Sequence, residues 1–100
     1  MTEYQVTYWR ELPSLVVARR GEEVSKTPLP GRFQLAIDEA AMRLGDIGSD
    51  AYLAGWHRGD WAAAEGDPVE VAERVAAELD EAWPAAALDQ YLDGLGKAPE

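Results

Sequence analysis

The chain has no cysteine, one histidine (His57) and one phenylalanine (Phe33) in 100 residues. Each scarcity excludes something. Without cysteine there are no disulfides, no thiolate catalysis and no thiolate metal sites. With one histidine, only His57 can act as a conventional general base near neutral pH. No run of about 18 apolar residues occurs, so no segment reads as a membrane-spanning helix. The opening residues Met1 to Gln5 lack a basic stretch followed by an apolar one, and no cleaved signal peptide is expected. There is no glycine-rich phosphate loop and no repeated metal-ligand spacing. These absences, with the cysteine-free composition, predict a cytoplasmic protein without cofactor.

Positive charge is also scarce. Nine Lys and Arg stand against 19 Asp and Glu, a net charge of −10. The first fifty residues hold six basic and eight acidic groups; the second fifty hold three and eleven. Nucleic acid and anionic membranes repel such a chain, so neither is expected as the main ligand. A basic partner would be attracted, although acidic helix faces also serve solubility alone.

What is present is pattern. Residues 3–10 alternate as a strand, with Tyr4, Val6 and Tyr8 on one face and Gln5, Thr7 and Trp9 on the other. Glu11-Leu12-Pro13-Ser14 reads as a turn, and residues 15–20 as a second strand closing a hairpin. Residues 24–27 suggest a third strand. Pro28-Leu29-Pro30 introduces a helix over 31–44, with Phe33, Ala36, Ile37, Ala40, Ala41 and Leu44 on one face. Leu35 and Met42 form a second stripe that predicts a contact with another layer. Gly45 is the expected stop and Ser49 the expected cap of a short helix over 50–56. A strand over 57–64, centred on Trp61, would complete the sheet. Asp67-Pro68-Val69-Glu70 has the form of a helix start, with Pro68 at the first position and Glu70 three residues after the cap. That helix reaches Trp83 and buries Val69, Ala72, Val75, Ala76, Leu79 and Trp83. A last helix spans 85–95 and ends at Gly94 and Gly96. The expected fold is therefore α+β. An antiparallel sheet of three or four strands packs against helices in one domain, 1–96, with residues 97–100 as a frayed tail.

The sequence names few chemical candidates. His57 could pair with Asp60, but Ser14, Ser25 and Ser49 sit in no nucleophile elbow, so no catalytic residue is assigned. Asp38, Glu39, Asp46 and Asp50 lack ordered calcium-loop spacing and read as solvated carboxylates. Arg58-Gly59-Asp60 matches an integrin-binding tripeptide only at the level of chance. The early cations are more informative. Arg20, Lys26 and Arg32 would form an anion site if the hairpin ends lay beside the helix start at Gly31; otherwise they pair with the abundant carboxylates. Four tryptophans are many for this length, and tryptophan and arginine are enriched in interface hot spots. Trp9, on the face opposite Tyr4, Val6 and Tyr8, is the expected exposed anchor, with Tyr8, Arg10 and Arg32 as further partner contacts.

Three stretches carry a family likeness. They are Tyr8-Trp9-Arg10-Glu11-Leu12-Pro13, then Leu29 to Asp38, and Ala40-Ala41-Met42-Arg43 followed by Ser49-Asp50-Ala51-Tyr52-Leu53. Together, over residues 3–83, the chain resembles a small bacterial family of virulence factor domains. A similar domain accompanies HEAT-like repeats in proteins of the conserved virulence factor C type. The resemblance thus implies a scaffold or interaction role and assigns no catalytic residue. It also implies an association with folate- and corrinoid-dependent one-carbon enzymes. The leading expectation is a non-enzymatic interaction module that docks on a larger protein or on itself. The alternative is a small-ligand-binding accessory subunit of one-carbon metabolism.

Overall fold

The computed structural model describes residues 1–44 and 49–94. Five strands and four helices follow in the order β1 (Thr2–Trp9), β2 (Leu12–Arg20), β3 (Glu23–Pro28), α1 (Gly31–Leu44), α2 (Ser49–Ala54), β4 (Trp56–Arg58), β5 (Ala62–Ala64), α3 (Pro68–Ala82) and α4 (Ala85–Gly94). All pairings are antiparallel. The strand order is β3-β2-β1-β4, and β5 also pairs with β1. The fold is α+β.

The first hairpin turns more tightly than expected. Leu12, Pro13 and Ser14 belong to β2, and the turn is only Arg10-Glu11, with Arg10 at φ 52°. Pro13 has no N–H to give to a ladder. The register shifts where it pairs, from Thr7 opposite Leu15 to Tyr8 opposite Pro13, which leaves Ser14 as the extra residue of a bulge. Pro13 therefore sits at a strand start and not in the turn. The second turn holds Gly21 at φ 60°, a conformation glycine adopts without strain. The strand expected over 57–64 is instead two short ones, broken at Gly59-Asp60-Trp61. Both pair along the edge of β1 that β2 leaves free.

The helices sit where periodicity placed them, with two corrections. On α1, Phe33, Ala36, Ile37, Ala40 and Ala41 are buried. Leu35 and Met42, expected against a second layer, are 71% and 66% exposed. On α3, Val71, Ala72, Val75 and Ala76 are buried while Val69 is exposed. The helix is turned so that Val71 and Val75, a branched pair four residues apart, face the sheet. Asp67 caps α3 by accepting the Glu70 N–H at 3.0 Å. The expected stops at Gly45 and Gly96, Leu95 and the tail 97–100 lie outside the described residues, as does the side chain of Ser49.

The core lies between α1, α3 and one face of the sheet, where Val6, Val16 and Ala18 meet Phe33, Ile37, Val71 and Ala72. Leu88 of α4 joins it. No described helix is long and apolar enough to cross a membrane.

Candidate functional site

Side chains alternate along a strand, so a sheet covered by helices on one side presents its other residues to the opposite side. Val6, Val16 and Ala18 point to the helices. Gln5, Thr7, Leu15 and Val17 therefore point away. Residues directly opposite one another across strands share a face. Lys26 pairs with Val17, and Arg58 pairs with Thr7, which puts both cations on that same open face. These residues and Trp61 line a shallow hollow. Leu15, Val17 and Trp61 are half-buried and stand outside the core cluster.

Trp61 comes from the break between β4 and β5. The guanidinium of Arg19 lies 3.7 Å from its ring centroid, a cation–π contact, and Arg19 also pairs with Glu3 at 3.4 Å. Gln5 holds the loop by donating to the Gly59 carbonyl at 3.0 Å, and Gly59 donates its N–H to the Val6 carbonyl at 2.9 Å. Gly59, two residues before Trp61, is thus tied to β1 through both its backbone groups. Neither Lys26 nor Arg58 makes a side-chain hydrogen bond or ion pair among the described residues. In a chain with twice as many acids as bases, two such cations on one surface are the principal electrostatic feature of the open face.

The expected anchor at Trp9 is corrected. Trp9 is 0% exposed. It belongs to the same buried cluster as Val6, and alternation along β1 could not say what would cover it. Its ring packs against Tyr52 of α2 at 5.9 Å between centroids, its indole N–H donates to the Tyr52 carbonyl at 2.9 Å, and Trp56 pairs with it in β4. Tyr8 is half-buried and stacks on His57 at 5.4 Å. Arg10 is exposed at the hairpin tip, with its guanidinium 5.3 Å from the Trp9 ring centroid.

Arg32 is also committed inward. It pairs with Asp80 and donates to the carbonyls of Asp80 and Trp83 at 3.0 and 2.9 Å, closing the C-terminus of α3. The anion site expected from Arg20, Lys26 and Arg32 is not assembled. Leu15, not Arg20, lies opposite Pro28 where the chain leaves β3 for α1; Arg20 lies at the far end of the hairpin and pairs with Glu23 at 3.3 Å. Antiparallel pairing puts those two ends roughly five residues, or about 16 Å, apart. Of the three, only Lys26 faces the hollow.

The remaining candidates have ordinary partners. His57 donates from Nε2 to the Arg10 carbonyl at 2.8 Å rather than to Asp60. Asp38 accepts from Gln34 at 3.0 Å and Glu39 pairs with Arg43 at 2.9 Å. Among the described residues no group of three metal-ligating side chains is placed to hold an ion; Asp46 lies outside them. At the same hairpin tip, Tyr91 of α4 donates to Glu11 at 2.6 Å. Burial, aided by that bond, pushes the phenol pKa well above its usual value.

The feature that sequence reasoning missed is Trp61. Poor alternation around it was a usable sign that it does not belong to a buried strand. Neither a curated protein nor a solved structure matches the chain. The family model described as "Virulence factor" matches residues 7–92, from the end of β1 to near the end of α4, and the chain belongs to that family.

Proposed function

We propose that this domain is a non-enzymatic docking module, an accessory unit whose binding surface is the open face of its sheet. The observation that carries this reading is the grouping of Trp61, Leu15 and Val17, none of them in the core cluster, with Lys26 and Arg58 around one hollow. An aromatic side chain set among apolar and cationic neighbours has the composition of an interface hot spot. Small-ligand binding has less support, because the cations it needed stand apart and two of them already have carboxylate partners.

The test is capture of partners on tagged full-length protein, comparing wild type with Trp61→Ala and with the double variant Lys26→Glu, Arg58→Glu. A partner retained by wild type and lost from both variants, with thermal unfolding unchanged, is the expected result. Partners held equally by all three proteins would end the proposal that this face docks.

A further inference from the structure

Lys26 on β3 and Arg58 on β4, neither with a side-chain partner among the described residues, sit on opposite sides of the four-strand run. Three strand spacings separate them. At about 4.8 Å per spacing, with an offset of two residues along the strands, their backbones are roughly 15 Å apart. Leu15 and Val17 of β2 and Gln5 and Thr7 of β1 lie between them. The hollow therefore reads, from side to side, as cation, apolar and neutral floor, cation.

Building on the docking reading, we infer that the occupant is a short extended segment of a partner protein with acidic residues at positions i and i+4 and an apolar residue at i+2. An extended chain rises about 3.3 Å per residue, so four residues span about 13 Å, and the long Lys and Arg side chains close the remainder. In such a chain i, i+2 and i+4 point the same way. The two carboxylates then meet Lys26 and Arg58 while the middle side chain rests on Leu15 and Val17.

Charge complementarity selects this occupant over a polyanion. The molecule as a whole carries −10, and that net charge repels a long run of phosphates. A short segment with two acids meets the local positive field and little else. The attraction acts at a solvated surface, so it is steep in salt.

The experiment uses the full chain labelled with nitrogen-15. It is titrated with a capped peptide whose centre is Glu-Thr-Leu-Thr-Glu, the same peptide with both Glu replaced by Gln, and inorganic phosphate. The acidic peptide is expected to shift the backbone amides of Gln5, Thr7, Val17, Lys26 and Arg58 and to change Trp61 fluorescence. Lys26→Gln and Arg58→Gln should each weaken it roughly tenfold, the loss of one charge-assisted contact. Equal binding of the Gln peptide, or shifts only at other residues, would overturn the inference. So would phosphate shifting the same amides as strongly as the peptide, since that marks a small-anion site. If a partner is captured through Trp61 yet the acidic peptide does not bind, this inference fails and the docking reading stands. If no partner depends on the face, the docking reading fails first.

Discussion

Gly55 is the residue on which the buried tryptophan depends. A Cβ built there would lie 2.5 Å from Trp9 Nε1 and 2.7 Å from Cε2, distances that no side chain occupies without displacing the indole. The Arg10 N–H also donates to the Gly55 carbonyl at 2.8 Å, which fixes the backbone in place. Gly55→Ala is expected to cost about 1–3 kcal/mol, the range for overpacking a filled core, and to red-shift the tryptophan emission as the Trp9 indole is displaced. Trp9→Ala should cost about 3–5 kcal/mol as a large-to-small core change. Urea unfolding measures both. A Trp9→Ala protein as stable as wild type would contradict the burial described above. Trp61→Ala, by contrast, should leave stability within about 1 kcal/mol, since it removes one exposed cation–π contact and no core packing. The two tryptophans thus separate a folding residue from a surface one by the same measurement.

At the scale of elements, the ends of helices are tied by arginines. Arg32 on the first turn of α1 reaches the last turn of α3, satisfying carbonyls that the helix itself cannot. A cation there also suits the negative end of the dipole. Arg43 does the same for α4 by donating to the Leu92 carbonyl at 2.8 Å while holding Glu39 on its own helix. Arg32→Ala should lower stability by about 1–2 kcal/mol, a charged hydrogen-bond loss reduced by partial exposure. Hydrogen exchange should quicken at the end of α3 before it does elsewhere. Unchanged exchange there would show that the contact holds nothing. Element identity was largely legible in the sequence, because α1 and α3 carry strong periodicity and α3 has a capped start with proline behind it. Less legible was the segment 56–64, whose two pieces of strand hold three residues each. Such short strands exist only because β1 offers them a free edge, and local sequence does not reveal that offer. The bulge at Ser14 was hidden for the same reason, since Pro13 reads as a turn until its partner strand is known.

For the molecule as a whole, the Glu11–Tyr91 hydrogen bond joins residues eighty apart in sequence, the hairpin tip and the last described helix. It is also a titratable clasp. The folded phenol holds its proton more tightly than an unfolded tyrosine, whose pKa is about 10. The stability it contributes is therefore present below about pH 10 and is lost as pH rises further, because the unfolded state releases the proton first. Wild type should lose stability above that pH in denaturant unfolding, and Tyr91→Phe should fall less steeply. Parallel slopes for the two proteins would show that the bond does not couple to folding. Residue types alone determined the α+β class, the position of α1, the capped start of α3 and the absence of thiol chemistry, because each follows from composition or from periodicity within a few turns of chain. Only the tertiary structure decided which tryptophan is buried, where Arg32 points and which cations meet on the open face. Those depend on what folds over a residue from forty or more positions away, and alternation along a strand names two faces without saying which one is covered.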